Sequence, residues 1–411
     1  MAIADFSQRL QKAIASDFCS TGFSSDTMRF LHTADWHLGR MFAGCDLLES
    51  QQYSLRALAA IAAELCPDAI LIAGDIYDRA VPPEDAVQAF DEILIQLAGI
   101  APVLAIAGNH DSGSRIDFGR RLLRQAGVHI VGSSRNGIER VDLADVHGTV
   151  AFHLMPFASP EVVRCDLHRD DLRSHDAATR ARIEAIAPVP TPSERHVLVG
   201  HLFALGGDET KESERDISVG GVSTVDPGIF APFCYTALGH LHRPHWIGSG
   251  RVRYSGSLGR YSFSEESHRK TVSLVTLDAG GGVQVEEIEL SQQYGMRTLR
   301  GRFADLLRSA AQDDRRTLDL VRVVLTDPLP LPGAHEQLRQ AYPLMRGFSY
   351  EPPPNVVDPG PSSALPEFKQ QNEHAYVQHF LAERYPDSSP ASISDLAQKC
   401  MEKALQQRDS R

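Results

Sequence analysis

Five short clusters of acids, histidines and one asparagine, each at the end of an apolar run, constrain this chain more than any other feature. They read Thr33-Ala34-Asp35-Trp36-His37-Leu38-Gly39-Arg40, Ala73-Gly74-Asp75-Ile76-Tyr77-Asp78, Ala107-Gly108-Asn109-His110-Asp111, Val199-Gly200-His201 and Leu238-Gly239-His240-Leu241-His242. The apolar runs predict strands over Arg29–Ala34, Ala69–Ala73, Val103–Ala107, Val150–Pro156, His196–Val199 and Tyr235–Leu238. Helical patterns at Gln51–Leu65 and Pro83–Ala98 separate the first three. Strand, helix, strand at this spacing means βαβ units and an α/β fold whose sheet is covered on both faces. In open α/β sheets the ligand crevice lies beyond the carboxyl ends of the strands, so all five clusters are expected to converge there.

The expected ligand set is Asp35, His37, Asp75, Asn109, His201, His240 and His242. Hard oxygens mixed with imidazoles suit manganese, iron or zinc better than calcium. The six cysteines are scattered, with no C-x-x-C pair, which disfavours a structural zinc site and a disulfide framework. The set is too large for one ion, whereas two ions sharing one carboxylate account for it. Asp75, short, central and anionic, suits the shared position. A glycine precedes Asp75, Asn109, His201 and His240, and is expected to let the chain turn sharply there and to keep bulk away from the ions. Two ions ~3.5–4 Å apart make a site for in-line attack by water on phosphorus. His110 follows a ligand directly and is not needed for coordination, so it is assigned as proton donor to the leaving group. Asp78, one strand end away, is expected to hold the His110 ring in the right tautomer.

The rest of the chain divides around this core. Residues 1–27 carry Phe6, Leu10, Ile14 and Phe18 at helical spacing and lack the pattern of a secretory signal. They are read as a detachable extension, with Met28 the natural start. Residues 28–295 form the main domain, with 164–195 a polar excursion that carries a weak helical pattern and 247–290 read as β-hairpins completing a second sheet. Residues 296–354 are expected to form a smaller α+β capping domain. Residues 355–411 hold a Pro/Gly/Ser linker and two amphipathic helices. Tyr376 and Phe380 mark the apolar face of the first helix, and Ile393, Leu396 and Met401 that of the second. Such stripes dock either on the protein's own domain or on a partner. No apolar run approaches the ~18 residues of a membrane span, and the cysteine usage fits a reducing cytoplasm.

The order D-x-H, G-D, G-N-H-D, G-H, G-H-x-H resembles that of calcineurin-like metallophosphoesterases. The flanking stretches are similar to the SbcD family of bacterial nuclease subunits: Arg29 to Arg40, Ala73 to Asp78, Ala107 to Ser112, Ser218-Val219-Gly220-Gly221, Tyr254-Ser255-Gly256-Ser257 and Arg260 to Glu265. The resemblance runs from about Met28 to about Tyr350. It implies a β-sandwich flanked by helices, with a capping domain, and an exonuclease and endonuclease acting on DNA in repair, recombination and replication. It also implies two Mn2+ ions, with Mg2+ a substitute. Asp35, His37, Asp75 and His242 would hold one ion, and Asp75, Asn109, His201 and His240 the other. His110 matches the family's catalytic histidine, whereas related nucleases often carry a histidine where this chain has Asp78. The implied partners are DNA and an SbcC-type coiled-coil ATPase, with the chain a homodimer inside a heterotetramer.

The residues alone support a phosphoester hydrolase. A small-molecule phosphatase or phosphodiesterase on the same scaffold is the competing reading, and a non-catalytic scaffold is a third. The net charge of −12 repels polyanions, so DNA binding needs a local positive field. Arg40, Arg79, Arg115, Arg243 and Arg260 lie next to ligand motifs and are its candidates.

Overall fold

The apolar runs after Met28 pair as parallel strands. In this computed structural model, which describes residues 27–186, 194–210, 224–248, 250–351 and 399, Met28–Thr33 pairs with Ala69–Ala73, and Ala69–Ala73 with Val103–Ile106. The alternation of side chains explains the layering. Leu31, Ile70, Ile72, Val103 and Ala105 point into a core shared with helices Leu48–Leu65 and Glu84–Ala98. Met28, Phe30, Leu71, Leu104 and Ile106 point the other way, onto a second sheet. The second sheet supplies Val150, Phe152, Leu154, Val197, Val199, Tyr235 and Ala237 to that core. Phe30 meets Phe152 edge to face at 5.5 Å.

Both sheets have six strands. The first runs Val283–Glu289, Thr271–Leu277, Met28–Thr33, Ala69–Ala73, Val103–Ile106, Val128–Val131. The second runs His245–Ile247, Val252–Tyr254, Tyr235–Gly239, Arg195–His201, Gly148–Met155, Glu139–Asp145. The result is an α/β sandwich flanked by helices. Strands Arg195–His201 and Tyr235–Gly239 are parallel to each other, so their carboxyl ends lie together.

One expectation is corrected and two are extended. Of the hairpins predicted over 247–290, only the first part joins the second sheet. Thr271–Leu277 and Val283–Glu289 extend the first sheet instead, because Thr271–Leu277 pairs antiparallel with Met28–Thr33 and covers an edge that the parallel units leave open. The polar excursion contains two helices, Pro160–Leu167 and His175–Ile186, which pack through Val163, Leu172, Ala178 and Ala181. The strand Gly295–Gly301, too polar to announce itself, pairs parallel with Asp319–Leu325. With Met345–Tyr350 these form a small parallel sheet. Helices Phe303–Ala310 and Ala334–Ala341 cover one face of it, over Val321, Val323 and Leu325.

The extension 1–26, the stretch Ser218 to Gly221, the linker, and the tail residues Tyr376, Phe380, Ile393, Leu396 and Met401 lie outside the described residues. No helix among the described residues is long and apolar enough to cross a membrane.

Candidate metal centre

The loops after the first two strands are zipped together by backbone hydrogen bonds. The amides of Asp35, His37 and Leu38 donate to the carbonyls of Gly74, Asp75 and Ile76 at 3.0, 2.9 and 2.9 Å. Within this zipper Asp35, His37 and Asp75 take positive φ values of 52°, 46° and 49°, and His240 takes 110°. Left-handed backbone is rare for such residues and costs free energy, so four of the expected ligands sit on strained backbone that the surrounding bonds enforce. Gln51 braces the first loop from its helix. Its Nε2 donates to the carbonyls of Trp36 and His37 at 3.0 and 2.7 Å, and its Oε1 accepts from the Gly39 amide. The Tyr261 hydroxyl donates to the same Trp36 carbonyl. Trp36 itself is buried against Phe90.

The four glycines before ligands differ in what they do. A Cβ on Gly74 would stand 2.4 Å from Nδ1 of His201, on Gly108 2.1 Å from Oδ1 of Asp75, and on Gly239 2.0 Å from the Ala73 carbonyl oxygen. These three allow loops to touch. Gly200 is different: it lies within the strand Arg195–His201, and a Cβ there would meet only side-chain carbons at 3.3 Å. The sharp turn expected at Gly200 is absent.

All of the expected ligands converge. Asp35, His37, Asp75, His201, His240 and His242 are buried and Asn109 is half-buried. Donor atoms of Asp35, His37 and His242 lie within 4.8 Å of one another, as do those of Asp35, Asp75 and His201, and those of His37, Asp75 and His110. Nε2 of His37 is 3.2 Å from Nε2 of His242. Oδ1 of Asn109 lies 2.9 Å from Nε2 of His201 and 3.3 Å from Nδ1 of His240. Oδ2 of Asp75 is central, 3.7 Å from His37 Nε2, 3.5 Å from His201 Nε2 and 3.9 Å from His110 Nε2. The Asp35 carboxylate accepts the His240 amide at 3.0 Å.

Electrostatics prepares these groups for a cation. Burial holds the imidazoles of His37, His240 and His242 below their usual pKa, hence neutral. Burial alone would raise Asp75, but His201, His37 and His110 around it hold its carboxyl well below the usual range. Neutral imidazoles and ionised carboxylates are the forms that ligate metal. His201 is the exception. Burial would lower it, yet Asp75 and Asp35 raise it to about 9, so a cation must displace its proton. His201 donates Nδ1–H to the Ala73 carbonyl at 2.9 Å, which leaves Nε2 facing Asp75 and Asn109. Crowded imidazole nitrogens and two buried carboxylates fit a pair of divalent cations.

His110 stands at the edge of this cluster, its ring 4.7 Å from that of His37. Its Nδ1 lies 2.7 Å from the backbone carbonyl of Asp78. The expected contact with the Asp78 carboxylate is therefore corrected. That carboxylate accepts from Arg40 at 3.1 Å and stands 3.6 Å from His37 Nδ1, because the Arg40 guanidinium draws it away. Of the arginines, Arg40 also lies over the Tyr261 ring at 5.1 Å. Arg260 is half-buried and donates twice to the His268 carbonyl. Arg79, Arg115 and Arg243 are exposed, with Arg243 3.4 Å from Asp208.

Sequence reasoning missed four supporting residues. Gln51 carried no signal beyond its helical position. Asp111 accepts the amides of Ile76, Tyr77 and Gly108 at 3.1, 2.9 and 2.9 Å, which ties the second and third loops together. Burial and Asp75 push its carboxyl up to about 7, against those three bonds. Glu265 Oε1 lies 2.9 Å from His242 Nδ1, and Lys270 reaches Glu265 Oε2 at 2.5 Å. Glu265 closes a stretch, Arg260 to Glu265, that resembles the nuclease-subunit family, but nothing local tied it or Lys270 to His242.

Residues 28–203 match the family described as calcineurin-like phosphoesterase. Over 356 residues the chain is 28% identical to the SbcD subunit of nuclease SbcCD from Staphylococcus epidermidis, covering 86% of this chain and 92% of that one. Among solved structures it overlaps a dimetal phosphatase from Danio rerio with a TM-score of 0.39 at 14% identity, covering 64% of this chain and 99% of that one. It overlaps TT1561 of Thermus thermophilus with a TM-score of 0.36 at 12% identity and the same coverages.

Proposed function

We propose that this chain, a hydrolase acting on phosphodiester bonds whose residues 28–203 match the calcineurin-like phosphoesterase family, is the DNA nuclease subunit of a complex with a coiled-coil ATPase. The observation that carries this reading is the similarity to the SbcD subunit of nuclease SbcCD, which continues far beyond residues 28–203 into the small-sheet region. In the reading, Asp35, His37, Asp75 and His242 hold one Mn2+, and Asp75, Asn109, His201 and His240 hold the other. When bound, the ions supply positive charge for the phosphoryl oxygens and acidify the attacking water.

The remaining steps belong to side chains. The Asp78 carbonyl keeps a hydrogen on Nδ1 of His110, so the proton His110 transfers is the one on Nε2. Nε2 is 3.9 Å from Oδ2 of Asp75, so it faces the metal cluster, where the leaving alkoxide would accept its proton. Asp78 acts through Arg40 and the loop rather than on the proton. Arg79, Arg115 and Arg243 contact phosphates, while Arg40 and Arg260 brace loops. Residues 28–295 form the catalytic domain, 296–354 cap it and shape a DNA groove, and 355–411 bind the ATPase through Tyr376, Phe380, Ile393, Leu396 and Met401. A homodimer is supported by Phe118 and Leu122, 86% and 72% exposed just beyond the third cluster. The free cysteines Cys45, Cys66, Cys165 and Cys234 fit work in the cytoplasm.

The test is cleavage of linear and hairpin DNA with Mn2+. We expect activity that falls about 10²–10⁴-fold in His110→Ala, with both ions still bound. Rapid turnover of a nucleotide monoester without action on DNA would replace this reading with a small-molecule phosphatase.

A further inference from the structure

We propose that Glu265 is a positioning residue for one of the two ions, acting through His242, and that Lys270 holds Glu265 in place. The proposal rests on the metal-centre reading above.

Glu265 and Lys270 are both buried, and their contacts form a relay to the metal centre. Glu265 Oε1 lies 2.9 Å from Nδ1 of His242, and Oε2 lies 2.5 Å from Nζ of Lys270. Lys270 Nζ also donates to the His242 carbonyl at 3.0 Å and to Ser257 Oγ at 2.7 Å. Burying two charges is costly, and an apolar pair of similar volume often serves stability as well. Here the pair does something an apolar pair cannot. A carboxylate only accepts, so Nδ1 of His242 must carry the hydrogen. Nε2 is then bare, and it is the nitrogen that faces His37 Nε2 at 3.2 Å. A charged acceptor at Nδ1 also makes Nε2 a stronger donor to a metal.

The turn that carries Glu265 is fixed from outside the centre. Ser262 Oγ accepts the Ser264 amide at 3.1 Å, Phe263 packs with Met296, Leu320 and Phe42, and Glu266 accepts from Thr298 Oγ1 at 2.7 Å. The small sheet thus presses on one side of the turn while Glu265 reaches the metal centre from the other. His201 is oriented differently, by the Ala73 carbonyl. Loss of the Glu265 charge is therefore expected to weaken one ion and spare the other.

The experiment titrates the chelator-stripped full chain with manganese chloride, following free Mn2+ by electron paramagnetic resonance and heat by calorimetry. We expect two ions in the parent protein. In Glu265→Gln one affinity falls about 10–100-fold while the other stays within about twofold. Should that variant fail to fold, Glu265→Leu with Lys270→Met removes both buried charges together, and the same single-site loss is expected. Two ions at parental affinity in a folded variant would overturn the proposal, as would equal weakening of both. A parent protein that binds fewer than two ions would instead overturn the metal-centre reading itself.

Discussion

Replacing Gly108 by alanine tests the shared position of Asp75 without substituting any ligand. Gly108 does not have a positive φ, so alanine suits its backbone and the effect is purely steric. The new methyl carbon would lie 2.1 Å from Asp75 Oδ1 and 2.4 Å from the Asp75 amide nitrogen, where ordinary contact begins at 3.4 Å. Both contacts are too short, so the carboxylate and the zippered backbone that carries Asp75 must shift together. A shift of about 1 Å in a group that positions the reaction costs about 10²-fold in turnover. The same shift breaks the bond from the His110 amide to Asp75 Oδ1, 2.8 Å long and buried, worth about 1.5–3 kcal/mol because the acceptor is charged. Gly200→Ala is the control, because its methyl meets only the tips of Leu238 and Met155 at 3.3 Å. Manganese titration, thermal melting and hydrolysis of a chromogenic phosphodiester measure all three consequences. Gly108→Ala should weaken both ions, since Asp75 serves both, and Gly200→Ala should weaken neither. A Gly108→Ala protein that keeps both ions and full turnover refutes the bridging role.

Other consequences follow from the same geometry. Asp78→Ala should cost less than about tenfold in turnover, below the range for a group that moves a proton, because the His110 ring is held by a carbonyl that alanine retains; a loss equal to that of His110→Ala would return the carboxylate to the mechanism. His201 rises from 6.5 to about 9 on folding of the ion-free protein. A raised imidazole stabilises the fold fully below the unfolded value and loses that contribution as pH climbs through the folded one. Melting temperature in chelator should therefore fall between pH 6.5 and about 9, and added Mn2+, which needs the deprotonated ring, should remove the fall; a flat profile in chelator would contradict it. Phe118→Asp should shift the protein from dimer to monomer in sedimentation, and an unchanged dimer would place the interface elsewhere.

The convergence of the expected ligands was legible because each is tied to a local pattern: an apolar run, then a glycine or an acid-histidine pair. The strand Ala69–Ala73 and its Gly74-Asp75 end can be read from adjacent residues alone. Asp78 could not. Whether its carboxylate or its carbonyl meets His110 depends on Arg40, which lies 38 positions away in sequence. Glu265 was equally hidden, since a glutamate in a polar turn looks solvated until Lys270 and His242 are seen around it. The hairpin Thr271–Leu277 and Val283–Glu289 has the same alternation whichever sheet it joins, so periodicity cannot choose between them.

Residue order alone pointed to the α/β class and to the side chains that converge, because strand periodicity and parallel connections send strand ends to one rim. Distances, tautomers and protonation states came from the folded chain. They arise from contacts between segments far apart in sequence, such as Asp75 with His201 or His242 with Glu265, and from burial that strips water from all of them at once.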